Sequence, residues 1–219
     1  MKIGIVGGTG KEGSGLALRF ALAGHSVMIG SRDAERGQAS AEELSESIDA
    51  TITGGSNEDA VDHGEVVILS VPFKGHKASV EALKENLAGK IMIDLTVPLQ
   101  PPKVTEVHLP EGESAALIAQ SILGDDTTVV GAFHHVSSVN LAKVDKDLHT
   151  DVLVVSDDKE ARQTVIGLIE DMGATAVDAG GLRNSIALES LTPILIHINK
   201  TYKVAGSGLH ITGINRDED

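Results

Sequence analysis

The feature that most constrains this chain is its opening, an apolar run "KIGIV" at 2–6 followed at once by "GGTGKEG" at 7–13. A buried strand that runs straight into glycines and then into an amphipathic segment predicts a strand–turn–helix unit. Gly8, Gly10 and Gly13 fit the spacing G-x-G-x-x-G. In a chain with 24 glycines the spacing alone carries little. Its place between a strand and a helix gives it meaning. The first glycine is expected to make the tight turn, the second to let backbone approach a pyrophosphate, and the third to bring helix and strand close together. The helix N-terminus then offers free N–H groups and a positive dipole end to an anion. A tight turn that binds nothing is the alternative.

Downstream the pattern repeats. Short apolar runs at 26–30, 50–53, 65–71, 91–95, 127–133, 151–156 and 174–178 read as strands. Amphipathic segments at 12–23, 34–47, 56–63, 74–85, 113–123, 157–172 and 182–202 read as helices, the last with Pro193 inside it and a kink expected there. The proline-rich stretch "TVPLQPPKVTEVHLP" reads as a loop, and the tail "INRDED" as a frayed end. Strands alternating with helices predict an α/β fold, a Rossmann-like doubly wound parallel sheet with a small C-terminal α/β part. Residues 1–124 are expected to form the nucleotide-binding domain. Residues 125–219 either extend the same sheet or form a smaller cap.

The residues at the end of the second strand select the nucleotide. A site for NAD places an acid there to accept from the ribose 2′-hydroxyl, whereas NADP needs a cation for the 2′-phosphate. Here the strand ends "IGSRD". Ser31 can donate to a phosphate, Arg32 can pair with it bidentately, and Arg36 adds a second charge one helical turn on. Asp33 reads as the N-cap of the following helix rather than as a ribose ligand. These residues point to NADP(H); a solvated turn is the alternative. Ser70, Val71 and Pro72 end the strong fourth strand, on the carboxyl edge where doubly wound sheets bind ligands, so they are expected beside the ribose and nicotinamide.

Composition excludes several classes. A net charge of -14 opposes a nucleic-acid surface. The absence of cysteine removes disulfides, thiolate metal sites and a cysteine nucleophile, and fits a cytoplasmic location. No apolar run reaches about 18 residues, so no membrane span is expected, and the N-terminus lacks a signal-peptide cleavage pattern. No metal site is expected, because no His-Glu-x-x-His motif or carboxylate at ligand spacing accompanies the histidines.

Two C-terminal stretches carry further candidates. "GAFHHVSSVN" places His134 and His135 at a strand end, where alternation predicts that one faces the crevice and the other points away. A backbone-satisfied histidine beside an exposed one is the alternative. In "ESLTPILIHINK", Leu191, Ile194, Leu195 and Ile198 read as core or dimer-interface positions. Ser190 and Thr192, just before Pro193, are harder to explain by packing.

Taken together, "GGTGKEGSGLALRFALAGHSVMIGSR", "NEDA", "VVILSVP", "GAFHHV", "DAGGLRNS" and "ESLTP" resemble the NADP-dependent reductases of the deazaflavin coenzyme F420 over nearly the whole chain. The resemblance implies reversible hydride transfer between C4 of the nicotinamide and C5 of the deazaflavin, in a homodimer. It implies that Thr9, Ser31, Arg32 and Arg36 serve NADP(H), and that His134, Val136, Thr192 and Leu195 lie at the deazaflavin pocket. His134 is expected to contact the polar edge of that coenzyme rather than to act as a base. Ser137 departs from the commoner family form, which carries proline there. A reductase of another acceptor (a flavin, a ferric complex or an imine) and a non-catalytic NADP(H) sensor are the competing readings.

Overall fold

A computed structural model describes residues 1–111 and 113–214. Residues 215–219, most of the tail expected to fray, lie outside the described residues. The chain runs β1 (Lys2–Val6), α1 (Lys11–Leu22), β2 (Ser26–Ser31), α2 (Ala34–Glu46), β3 (Ile52–Ser56), α3 (Asn57–His63), β4 (Val66–Leu69), α4 (Phe73–Leu87) and β5 (Ile91–Asp94). It continues with α5 (Ala115–Leu123), β6 (Thr128–Gly131), α6 (Ser138–Leu141), β7 (Asp151–Val154), α7 (Lys159–Asp171), β8 (Thr175–Asp178) and α8 (Ser185–Tyr202).

Six parallel strands form one sheet in the order β3-β2-β1-β4-β5-β6. This is the doubly wound arrangement, with its reversal between β1 and β4. Alternation within the strands divides the core. Val66 and Ile68 of β4 join Ile3, Ile5, Leu16 and Phe20 on one face, covered by α1, α2 and α7. Val67 and Leu69 face the other side, with Val61 of α3, Val80 and Leu83 of α4, and Ala116 of α5. Burial on both faces is why these strands are continuously apolar.

Local chemistry fixes the element boundaries. Asp33 caps α2 by accepting from the N–H groups of Glu35 and Arg36, as its sequence position predicts. Ser56 and Asp59 form a reciprocal capping box at α3. β3 runs through Gly54 and Gly55 to Ser56, three residues beyond the end that composition suggests. The reason is helix packing: a Cβ on Gly54 would sit 2.2 Å from the Gly37 carbonyl oxygen of α2. β6 stops at Gly131, earlier than expected, and Phe133 turns into the left-handed region at φ 66°. α8 continues through Pro193, and its expected first residues, Leu182–Asn184, form a separate 3₁₀ turn.

The C-terminal part makes its own two-stranded parallel sheet from β7 and β8, with α7 as the crossover. One antiparallel bridge hooks it to the main sheet: Gly131 N–H donates to Val155 O at 2.8 Å, and Val155 N–H returns to Gly131 O at 3.0 Å. β6 itself, although C-terminal to residue 124, belongs to the main sheet.

A buried arginine ties the two parts together. Arg19 of α1 donates to the carbonyl oxygens of Leu141, Asn140, Lys143 and Lys146 at 2.8–2.9 Å. These carbonyls belong to the end of α6 and to the turn after it. Replacing Arg19 by Met keeps the stem and removes every donor. The expected result is a loss of about 2–3 kcal/mol of unfolding free energy in urea titration, because buried acceptors are left without partners. A loss within about 0.5 kcal/mol, typical of a surface change, would contradict this anchoring role.

Candidate active site

The glycine turn after β1 is tighter than the spacing suggests. The residue in the left-handed region is Gly7, at φ +71°, not Gly8. Gly8 instead lies against β2: its N–H donates to Gly30 O at 2.9 Å, and a Cβ there would come within 2.6 Å of Ile29 Cβ. A Cβ on Gly13 would meet Gly8 Cα at 2.7 Å, so this glycine does permit helix–strand contact. Gly10 caps α1 and opens onto a cavity, with the Gly7 carbonyl at 3.4 Å as its one close neighbour. Backbone alone therefore forms the cradle at the helix N-terminus, which fits a pyrophosphate.

That cavity, about 580 Å³, runs across the carboxyl edge of the sheet. Thr9, Gly10, Ser31, Arg32, Arg36, Ser70, Val71 and Pro72 line it. Ser31 is buried, and its Oγ accepts the Asp33 N–H at 3.3 Å. Arg32 and Arg36 are exposed at the cavity rim. No carboxylate lines this cavity among the described residues, which fits a nucleotide carrying an additional phosphate. Sequence reasoning missed Asn57, Lys74 and Ser79, which also line it. Asn57 had a legible signal: it opens α3 just after a capping serine. Its Oδ1 accepts the Gly7 N–H at 3.1 Å and so braces the turn.

A second cavity of about 520 Å³ adjoins the first. Gly10, Ser70, Val71, Pro72 and Lys74 line both. Its remaining wall is largely apolar, with Phe73, Leu95, Val97, Leu99 and Val104, and Thr192 of α8 reaches it. Glu12 also faces it, its carboxyl pushed up by burial.

The other C-terminal candidates lie behind this wall. Val136 and Leu195 are buried and line neither cavity. The histidine pair does not divide between crevice and exterior as strand alternation predicts. β6 has already ended, the backbone reverses at Phe133, and both rings are buried. His135 bonds the Asp151 carbonyl at 2.8 Å. The His134 side chain is fully enclosed, so in this structure it touches the site through its backbone: its carbonyl accepts the Thr192 hydroxyl at 2.6 Å. Ser190 is explained by the helix itself, its hydroxyl bonding the Ile186 carbonyl at 2.6 Å.

His134 has acidic neighbours that the local motif does not reveal. Its Nε2 lies 4.0 Å from Glu189 Oε1. Glu189 accepts the Ala115 and Ala116 N–H groups at the start of α5. Burial pushes the Glu189 carboxyl up to about 8 against those hydrogen bonds, and the nearby Asp94 charge adds to the rise. Burial likewise pushes the His134 imidazole down to about 4, against the attraction of Asp94. Asp94 is paired with His76 at 2.6 Å, both side chains buried. Burial alone would raise the Asp94 carboxyl, but the His76 hydrogen bond and charge, with the Thr96 N–H, carry it below its ordinary value. Among the described residues, no group of three or more His, Asp or Glu is placed to hold a metal.

A doubly wound sheet, a backbone cradle at a helix N-terminus and a Ser-Arg pair beyond the second strand define a dinucleotide-binding oxidoreductase of the NADP(H) type. Residues 2–98 match the family model described as "NADP oxidoreductase coenzyme F420-dependent". The F420-dependent NADP reductase of Methanocaldococcus jannaschii is 39% identical over 98% of this chain and 99% of its own length. That of Methanothermobacter marburgensis is 37% identical over 98% and 99% respectively. A candidate F420-dependent NADP-reductase from Arthrobacter sp. FB24 superposes with a TM-score of 0.82 at 25% identity, over 97% of this chain and 99% of that one. The chain belongs to the F420-dependent NADP reductase family.

The enclosed His134 gives the site a pH signature. A base with a depressed value in the fold contributes stability that is complete above its unfolded value, near 6.5, and is lost as pH falls toward about 4. The His134 contribution to the unfolding free energy should therefore decline between pH 6.5 and 4.5, while Glu189, whose carboxyl is raised to about 8, contributes in the opposite sense over the same window. His134→Asn, which has no titrating group, should flatten that decline by up to about 3 kcal/mol, His135 and His25 accounting for a remainder. Parallel stability–pH curves for the two proteins would show that His134 is not enclosed as neutral imidazole.

Proposed function

We propose that this chain transfers hydride reversibly between NADP(H) and coenzyme F420. The observation that carries the reading is the continuity of the two cavities through Ser70, Val71 and Pro72. A nucleotide held at one end and a planar acceptor at the other would meet at this shared wall. The two coenzymes supply the hydride donor and acceptor, at the nicotinamide C4 and the deazaflavin C5.

The chain's own residues position these partners and exclude water. Thr9 and Gly10 hold the pyrophosphate at the α1 N-terminus. Ser31, Arg32 and Arg36 hold the 2′-phosphate. Gly8 and Gly13 act by packing rather than by contact. Thr192 presents its side chain to the acceptor, steadied by the His134 carbonyl, and Val136 and Leu195 back the wall. His134 serves as a positioning residue and transfers no proton.

In this reading residues 1–124 bind the nucleotide and residues 125–219 complete the acceptor pocket. The chain works as a cytoplasmic homodimer. Supporting the dimer, Ile194 on α8 is 46% exposed, with Val139 of α6 and Val204 also uncovered. Among the described residues no helix is long and apolar enough to cross a membrane. A monomer by light scattering at micromolar concentration would contradict the dimer.

Purified protein mixed with NADPH and oxidised F420 should consume both, followed by absorbance. Rapid reduction of a flavin, a ferric complex or an imine without F420 turnover would replace F420 as the acceptor. Binding of NADPH without turnover of any of these would leave a sensor. For the nucleotide, Arg32→Ala should weaken NADPH by about 1.5–3 kcal/mol, roughly 10- to 150-fold, by loss of a charge-assisted contact. NADH affinity should scarcely change. Equal losses for both nucleotides would remove the 2′-phosphate assignment.

A further inference from the structure

The buried His76–Asp94 pair has no part in the roles assigned above. His76 lies in the first turn of α4, and Asp94 closes β5. His76 Nε2 and Asp94 Oδ2 are 2.6 Å apart. The second carboxylate oxygen accepts the Thr96 N–H at 2.9 Å. On its other side the His76 ring stacks on Phe73, with centroids 6.2 Å apart and planes inclined by 22°. Thr96 Oγ1 in turn donates to the Val71 carbonyl at 3.4 Å. Phe73, Thr96 and Val71 all line the second cavity.

One pair thus connects three wall residues contributed by three segments: the exit of β4, the start of α4 and the exit of β5. Val71 and Phe73 are two positions apart, and Thr96 lies 25 positions from Val71. An apolar pair of similar volume would stabilise the fold at least as well, because burying two polar partners costs desolvation. What the polar pair adds is direction. A short hydrogen bond fixes the angle of the imidazole, and the imidazole fixes the ring stacked on it.

We propose that His76 and Asp94 are positioning residues for the hydride acceptor, setting Phe73 and Thr96 as walls of the second cavity. This rests on the reading of that cavity as the acceptor site. The pair reaches the acceptor only through the residues it holds. Ser31, Arg32 and Arg36, at the far end of the nucleotide cavity, lie on other elements, whereas Lys74 and Ser79 of α4 line that cavity nearer the pair.

Two substitutions separate positioning from bulk packing. His76→Gln keeps an N–H for Asp94. His76→Phe keeps a flat ring on Phe73 but leaves the carboxylate without that donor. The KM for F420 should rise about tenfold or more in His76→Phe and stay within about threefold in His76→Gln. The Kd for NADPH, read by its fluorescence, should stay within about twofold in both. A second readout needs no turnover. The chain has three phenylalanines, so 4-fluorophenylalanine labelling gives three fluorine resonances, with Phe73 assigned by Phe73→Leu. Asp94→Leu should shift or broaden the Phe73 resonance. Those of Phe20 and Phe133, which pack edge-on against each other in the core, should stay in place. If Asp94→Leu does not fold, the smaller Asp94→Ala, which also removes the acceptor and leaves the His76 ring in place, should move the same resonance.

Failure of the wild-type protein to turn over F420 would overturn the functional reading, and the fluorine spectrum would then decide the pair by itself. An unmoved Phe73 resonance overturns the positioning role. So does an F420 KM that is equal in the wild type and both His76 variants, or a joint loss of F420 and NADPH binding in step with a falling Tm.

Discussion

Contact without side chains, between the turn after β1 and the first turn of α1, sets the geometry of the whole ligand edge. Gly13 lies against Gly8, and Gly8 lies against Ile29 of β2, at separations that leave no room for a Cβ. α1 is therefore drawn onto the sheet with its N-terminus aimed at the crevice. Strand order reverses between β1 and β4, so the crevice opens between the ends of those two strands. Thr9 and Gly10 then form one bank of the cavity, and Ser70, Val71 and Pro72 the other. A larger residue at Gly8 or Gly13 would move the helix, and with it the N–H groups of its first turn.

Behind the second cavity the fold places Asp94, His134 and Glu189 in one buried layer. Three full charges there would be costly, since an unpaired ion in a low-dielectric interior is strongly disfavoured. Burial settles the matter differently for each group. Asp94 keeps its charge because His76 and the Thr96 N–H meet it. His134 is held neutral, and Glu189 holds its proton through neutral pH. The layer between the sheet and α8 therefore contains one compensated carboxylate. Glu189 can then accept from the start of α5 without adding a second negative charge beside Asp94.

The nucleotide half was legible in the sequence because its determinants are local. Apolar runs buried on both faces, a glycine turn and the residues at a strand end are all read within about ten positions. What stayed hidden depends on distant approach. Spacing selects Gly8 as the turn residue, whereas the positive φ falls on Gly7, which Asn57 braces from 50 positions away. His134 and His135 look like strand residues until Phe133 turns the backbone, so alternation assigns them wrongly. His76 and Asp94 are 18 positions apart, on a helix and the next strand. Nothing in either local motif announces their pairing, which follows only once α4 packs beside β5. The resemblance of "ESLTP" to a known family pointed to Thr192, but not to Glu189 as the buried acceptor at α5.

Charge completes the argument about what the crevice admits. The chain carries 32 acidic and 18 basic residues, so its overall field repels anions. The two cavities reverse that sign locally. Lys11, Arg32, Arg36 and Lys74 line them, while Glu12 is their one carboxyl group among the described residues. With a screening length near 8 Å at physiological salt, an approaching nucleotide responds to the charges lining the crevice more than to the distant acidic surface. The same screening weakens the repulsion that the acidic exterior exerts on the phosphate. An acidic protein can thus hold a polyanionic coenzyme, provided that its few cations are gathered where the sheet edge and the N-termini of α1 and α4 converge.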